Sequence, residues 1–319
     1  MLQVFRSFLF HQVHAMDKPS SKLQANVPSI RTKMEFAVQM HCQNCVDSVK
    51  ESLSGLPEIS KIEVSLENES VIVESILSAE DILRLIENSG RKAILKGIGG
   101  IKKGGNLGAA VAVVGSTDPK NIGFGWSDTH VYGVVRFIQT TEDECIIEGV
   151  LDGLTPGLHG IHIHEYGDIS QGCNSVGDHY NPMNKRHGSP YQDDGERHVG
   201  DLGNIFADQH GRATFKIVDQ VVKTWDIIGR SVAVTEREDD LGLGGNKGSA
   251  IDGNSGRRLA CGIISRSAGL FGNPKRVCAC DGTTIWEEAS GVAGRKGEER
   301  KTVSSREKSD PSSNPHSKY

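Results

Sequence analysis

The run LHGIHIHEYGDISQGCNSVGDHYNPMNKRHGSPYQDDGERHVGD, residues 158–201, carries six of the chain's twelve histidines and ends on an aspartate. His159, His162, His164, His179, His187 and His198 share it with Asp201. Imidazole nitrogen and carboxylate oxygen are the donors of tetrahedral Zn²⁺ sites, so this density beside Asp201 points to a metal centre rather than to scattered surface histidines. Around the run, from Ala110 to about Ser265, short apolar stretches such as Val131 to Gln139, Cys145 to Leu151 and Ala213 to Val218 alternate with Gly, Asp and Asn. No long helical period interrupts them. That pattern predicts an antiparallel β-sandwich or barrel with long functional loops.

The chain ahead of this region reads differently. Met34 to Val38 alternates as a strand does, and Val46, Val49 and Leu53 recur at helical spacing until Gly55. Ile59 to Leu66 and Val71 to Ile76 predict two strands around a polar turn. Ser78 and Asp81 have capping-box spacing ahead of Ile82, Leu85 and Ile86, Gly90 ends that helix, and Ala93 to Leu95 is a last strand. The order βαββαβ over residues 34–97 is the ferredoxin-like arrangement. A Gly-rich stretch, 98–109, is expected as a flexible linker to the β-domain of 110–265. Residues 266–288 are too few for a core of their own and contain Cys278 and Cys280. The final 289–319 lack large apolar residues almost entirely and are expected to be disordered. Residues 1–33 are basic and serine-rich, with Asp17 as the one acid, and predict an organelle transit peptide or a disordered extension.

With 319 residues and a net charge of −5 spread without a basic field, the chain has room for two or three domains and no electrostatic reason to bind nucleic acid. No apolar run approaches the ~18 residues of a membrane span. Seven cysteines are too few to staple a chain of this length, and four of them form the close pairs Cys42/Cys45 and Cys278/Cys280. Such pairs suggest metal or redox chemistry.

Met40-His41-Cys42-Gln43-Asn44-Cys45 falls between the first strand and the first helix. Two thiolates there suit a soft ion such as Cu(I), and the helix N-terminus favours the thiolate form. A zinc site would want a second CxxC, which the chain lacks, and thioredoxin chemistry would place the motif in another topology. Cys278-Ala279-Cys280 is too tight for a relaxed disulfide and suits Cu(I) binding or thiol exchange. Cys145, in a strand pattern, reads as a buried core thiol.

Residues 34–97, with MxCxxC, resemble a heavy-metal-associated domain, and the resemblance implies copper held by Cys42 and Cys45 with Met40 as packing. The strings LHGIHIHEYGD, GDHYNP, RHGSP, ERHVGDLGN, DDLGLGGN and RRLACG are similar, in order and spacing, to copper/zinc superoxide dismutases. That resemblance implies a Greek-key barrel of dismutase type. It implies zinc ligands at His179, His187, His198 and Asp201, a supporting carboxylate at Asp239, a structural His159 and a disulfide between Cys173 and Cys261. The implied copper ligands are His162, His164 and His179, with Thr235 where the family has its fourth. A hydroxyl is a poor substitute for imidazole toward copper, so the resemblance leaves a vestigial copper site. Arg258 matches the arginine that guides superoxide, while Gly248 and Ile251 stand at positions charged in the family. Tyr166, Gly167, Ile228 and Gly229 fall on the family's subunit interface, implying a heterodimer with a dismutase subunit or a homodimer.

The segment RSAGLFGNPKRVCACDGTTIWEE completes a resemblance to the copper chaperones for superoxide dismutase, in a form like the plant proteins. It implies a metallochaperone rather than an enzyme, with Cu(I) and Zn(II) as its metals, no membrane or nucleic-acid partner, and a place in the chloroplast, the cytosol or both. Phe271 and Trp286 are the aromatic anchors expected in this segment. The rival reading is an active dismutase with an appended copper-binding domain, and Thr235 is what separates the two.

Overall fold

The computed structural model describes residues 30–101, 107–115, 125–127, 129–191 and 196–272. The expected transit peptide, the Cys278/Cys280 pair, Trp286 and the C-terminal tail lie outside the described residues.

The first part of the chain runs β1 (Thr32–Val38), α1 (Gln43–Leu53), β2 (Ile59–Ser65), β3 (Ser70–Ser75), α2 (Ala79–Glu87) and β4 (Ala93–Gly100). The strands form one antiparallel sheet in the order β2-β3-β1-β4, the ferredoxin-like arrangement. Val46, Val49 and Leu53 of α1, with Ala79, Ile82 and Ile86 of α2, face the sheet and bury Met34, Phe36, Val38, Val71 and Val73 beneath them. Ser78 caps α2 by accepting a hydrogen bond from the Asp81 amide at 3.2 Å.

β4 differs from expectation in length. It continues to Gly100, three residues into the stretch predicted to be linker, and pairs Gly99 with Lys33 and Gly100 with Thr32 of β1. Glycine carries no side chain to show the alternation that marks a strand, so backbone pairing alone extends it.

The second part contains β5 (Gly108–Val114), β6 (Gly125–Ser127), β7 (Tyr132–Thr141), β8 (Glu144–Asp152), β9 (Gly157–His164), β10 (Ser170–Cys173), β11 (Asp201–Ala207), β12 (Ala213–Asp219), β13 (Ser231–Thr235) and β14 (Arg258–Ser267). Two short helices, α3 (Thr224–Ile227) and α4 (Ser249–Asp252), lie in its connections. The order β13-β9-β11-β12-β8-β7-β5-β14 closes through a β13–β14 pairing into an antiparallel barrel, with β6 added on β14. Closure removes the exposed strand edges that an open sheet would leave. Val135, Phe137, Cys145, Ile147, Leu151, Ile161 and Ile163 point inward and fill the barrel. Cys145 is fully buried and burial pushes its thiol well up, as a core cysteine requires.

The alternate residues of β7, β8 and β12 face outward, and the first sheet covers part of them. Ile138 and Ile146, paired across β7 and β8, are buried in the core of the first sheet and its helices. Beside them a cross-strand row joins Arg136, Glu148 and Lys216. Glu148 is fully buried and accepts from the Ala79 amide, the first of α2, at 3.2 Å; Lys216 Nζ lies 3.8 Å from its other oxygen. Arg136 forks onto Glu80 at 2.8 and 2.9 Å. Burial pushes the Glu148 carboxyl up, with Lys216 and Arg136 opposing it. A helix N-terminus on one body is therefore capped from the other. Glu148→Ala is expected to weaken this junction by about 1–3 kcal/mol, because it strands a buried amide and takes the counter-charge from the half-buried Lys216. Calorimetry should resolve a separate, earlier transition, and amide exchange at Ala79 should rise with it.

Candidate metal centres

The first donor set sits at the loop between β1 and α1. Cys42 is exposed and Cys45 buried, both are free thiols, and their sulfurs lie 3.3 Å apart. Met40 is 2% exposed and packs in the core beneath them, as expected of a supporting rather than a liganding residue. The Cys45 thiol is held below its ordinary value, first by the backbone amide of His41, then by Cys42 and the nearby Arg91 charge, against the opposing effect of burial. An exposed Cys42 thus stands beside a thiolate-prone Cys45 at the protein surface. Arg91 precedes β4 and is distant in sequence, so its contribution was not readable from the motif.

The second set is buried against the barrel wall. His179, His187, His198 and Asp201 each offer a donor atom within 4.8 Å of all the others. The Nδ1 atoms of His179, His187 and His198 lie 2.8, 3.0 and 3.2 Å from one oxygen, Asp201 Oδ1. Asp201 Oδ2 is occupied separately by the backbone amides of Gly188 (3.2 Å) and His198 (3.0 Å). The far nitrogens of two rings are also spoken for: His187 Nε2 reaches Asp239 Oδ1 at 2.7 Å, and His198 Nε2 reaches the Lys185 carbonyl at 3.0 Å. If those nitrogens carry the protons, the Nδ1 lone pairs of both rings face a carboxylate, and neither Nδ1 has a hydrogen-bond partner of its own. A cation between them relieves that opposition. A tetrahedral ion about 2.0–2.1 Å from each donor separates donors by roughly 3.3 Å, close to what is seen. The donor set fits Zn²⁺.

The electrostatics agree. Asp201, although buried, is held far below the carboxylate range by the close approach of the His179, His187 and His198 rings. Burial pulls His187 down, but Asp201 and Asp239 more than offset it and push the ring up to about 10. Two carboxylates therefore demand positive charge in their midst. Asp239 also receives His162 Nε2 at 2.9 Å on its second oxygen, so one carboxylate orients a ring in each of two adjoining donor sets. Gly253 allows this approach: a Cβ there would fall 1.9 Å from Asp239 Oδ1, and its φ of +67° is a glycine conformation.

The adjoining set is His162, His164 and His179, again within 4.8 Å. Ile161 and Ile163 of β9 point into the barrel, which leaves His162 and His164 together on its outer side. His162 Nδ1 and His164 Nε2 are buried without a hydrogen-bond partner, their other nitrogens being held by Asp239 and the Gly177 carbonyl. Burial and the neighbouring rings pull His164 well below the usual imidazole range, so it presents a lone pair. Thr235 does not join them. Its hydroxyl donates to the Gly160 carbonyl at 3.1 Å, with that of Arg237 at 3.3 Å. His159 lies between the carbonyls of Thr235 and Thr155, 2.8 Å from each, a structural position away from the donors.

Cys173 and Cys261 are joined in a disulfide that ties β10 to β14. Arg258 donates to the carbonyls of Cys173 (3.0 Å) and Gly177 (2.7 Å), at the mouth of the three-histidine set. Ile251 is 60% exposed nearby in sequence, and Gly248 supplies no charge. A further support, Arg197, is buried against Asp219 and donates to the carbonyls of His198 and Asp201. It lies inside the ERHVGD string, whose pattern marks His198 and Asp201 but gives no sign that the arginine turns inward.

A ferredoxin-like domain with an open dithiol, joined to an antiparallel barrel with one donor set of three histidines and one of three histidines and an aspartate, defines a metal-carrying protein. Residues 35–92 match the family model of the heavy-metal-associated domain, and residues 131–264 that of copper/zinc superoxide dismutase. The chain is 54% identical over 255 residues to the copper chaperone for superoxide dismutase of Sus scrofa, covering 80% of this chain and 88% of that protein. The chaperone of Homo sapiens is 52% identical over 264 residues, covering 83% and 91%. The chloroplastic/cytosolic chaperone of Arabidopsis thaliana is 36% identical over 253 residues, covering 79% and 69%. The likeness thus reaches the plant proteins but is greater with these mammalian ones. The chain belongs to the copper chaperones for superoxide dismutase.

Proposed function

We propose that the chain binds copper as Cu(I) on Cys42 and Cys45, recognises immature copper/zinc superoxide dismutase through its barrel, and delivers the metal through Cys278 and Cys280. The observation that carries this reading is Thr235. Its hydroxyl is engaged with backbone carbonyls while His162 and His164 beside it each keep a ring nitrogen without a hydrogen-bond partner, an arrangement suited to a scaffold and poorly suited to redox cycling. The active-dismutase reading is disfavoured by the same residue.

Zinc, held by His179, His187, His198 and Asp201, would supply structural cross-linking of the loop to the barrel. The chain's own residues orient it: Asp239 holds the His187 ring, Lys185 the His198 ring, and Arg197 the turn from His198 to Asp201. The docking face is assigned to Tyr166, Gly167, Ile228 and Gly229. Tyr166 is 57% exposed, and Gly167 lies so close to Gly229 that a Cβ would meet its carbonyl oxygen at 2.4 Å. Two glycines packed together leave a shallow surface next to an exposed aromatic, which fits an isologous contact with a dismutase subunit or a second copy.

Delivery is a ligand exchange in which Cu(I) keeps its oxidation state. Closing the target's disulfide is a separate two-electron oxidation: Cys278 and Cys280, oxidised as a pair by an external acceptor, pass through a mixed disulfide and leave as thiols. We place the protein in the cytosol, the chloroplast or both; sequencing the mature N-terminus from each fraction tests that. The function itself is tested by reconstitution of apo-dismutase with the Cu(I)-loaded chain under a copper chelator. Activity should appear with the wild-type chain, and Cys278→Ser/Cys280→Ser should reduce it to the level without chaperone. Full activation by that variant would overturn the delivery step.

A further inference from the structure

The sheet of the first domain ends at β4, whose outer edge is free of any strand of its own domain. After β14 leaves the barrel, the chain returns to that edge. Gly269 forms a parallel bridge with Ile98 of β4, and residues 269–272 close a turn through a hydrogen bond from the Gly272 amide to the Gly269 carbonyl at 2.9 Å. The Phe271 amide donates to Glu35 Oε2 at 3.1 Å, across 236 residues of sequence. Glu35 lies on β1, is 7% exposed and is paired through its other oxygen with Lys96 at 2.9 Å. Lys33 Nζ stands 5.9 Å from the centre of the Phe271 ring. Gly97 makes the approach possible. A Cβ there would meet Gly269 O at 2.4 Å, Gly269 C at 3.0 Å and Leu270 Cα at 3.1 Å.

We propose that the turn Gly269–Phe271 is a latch, seated on Gly97, Glu35 and Lys33, that moors the start of the cysteine-bearing segment to the copper-binding domain. The consequence rests on the delivery role of Cys278 and Cys280 proposed above. Cys278 follows Phe271 by seven residues, a run of at most about 25 Å when extended. Mooring its root raises the effective concentration of the second thiol pair for Cu(I) held on Cys42 and Cys45 of the same chain. In the transfer, Cu(I) trades two thiolates for two others. Cys278 and Cys280 give up their protons, Cys42 and Cys45 take up as many, and nothing is oxidised.

Gly97→Val in the full chain tests the latch, because the atoms its Cβ would strike belong to residues 269 and 270. In the wild-type chain the Phe271 amide should exchange at least ~10-fold more slowly than in a free peptide, and Gly97→Val should abolish that protection. With one Cu(I) per chain, alkylation and mass spectrometry report which thiol pair is shielded. Transfer should be independent of chain concentration in the wild type. In Gly97→Val it should be at least ~10-fold slower at low concentration and rise with concentration. Glu35→Ala, which removes the acceptor without adding bulk, should act in the same direction and serves if the valine variant does not fold. An unprotected Phe271 amide in the wild type, or unchanged transfer in variants that have lost protection, would overturn the latch. Cys278→Ser/Cys280→Ser should leave Phe271 protected while stopping transfer. Full dismutase activation by that variant would sink the delivery role and leave the amide measurement to decide the latch.

Discussion

Asp201→Ala is expected to lower zinc affinity by about three orders of magnitude or more and to bring the melting temperature of the barrel down to that of chelator-treated wild type. The first figure follows from position. Even residues that only orient a ligand cost 10–100-fold when removed, and Asp201 stands closer than that, with one oxygen facing three imidazoles and the other held by two backbone amides. The second follows from linkage. A site saturated a thousandfold over its dissociation constant adds about 4 kcal/mol to stability, and for a domain of this size each kcal/mol moves the midpoint by roughly 2–4 °C. A fall of about 10 °C is therefore expected from metal loss alone. Removing the carboxylate also frees His187 from one of the two acids that hold its charge. The Cys173–Cys261 disulfide is untouched and should keep the barrel folded at room temperature. Calorimetry with and without chelator checks both parts. If the variant melts with the zinc-loaded wild type, Asp201 is no ligand.

The donor sets were legible because their chemistry is local. Cys42 and Cys45 share one loop, and the histidine-rich run packs His162 through Asp201 into a single stretch whose spacing marks a metal protein. Thr235 was legible only through the family resemblance; nothing in Val232 to Glu236 says that a histidine is missing. What stayed hidden depends on register. Arg136, Glu148 and Lys216 become a row only when three strands align, and each alone looks like a charged surface residue. Ile138 and Ile146 read as barrel residues, yet they are buried under the first sheet. Ile98 to Gly100 looked like a linker because backbone pairing leaves no mark on a glycine-rich sequence. The adjoining Gly97 supplies the close approach that seats Gly269. Sequence periodicity reports which face of an element is buried, and it is silent on what buries it.

Thr235→His is expected to convert the barrel from inert to measurably active in superoxide dismutation once copper is supplied. Three of the four imidazoles are in place. His162 Nδ1 and His164 Nε2 are buried and unpartnered, and Asp239 and the Gly177 carbonyl fix their rings. His179 stands against both, its ring stacked 4.0 Å from that of His162. The new side chain would leave the Gly160 carbonyl, losing a hydrogen bond worth about 1 kcal/mol, a small loss beside a metal–ligand bond. Arg258 is already held at the mouth by the Cys173 and Gly177 carbonyls and offers a cation to an incoming anion. Steering should remain incomplete, since Gly248 and Ile251 bring no charge to the approach. Activity should therefore rise from background yet stay below that of a dismutase and fall less steeply with added salt. Copper-loaded wild type measured beside it should remain at background. Substantial turnover by the wild type would restore the dismutase reading, while a silent Thr235→His chain that binds copper would show that the barrel lacks more than one ligand.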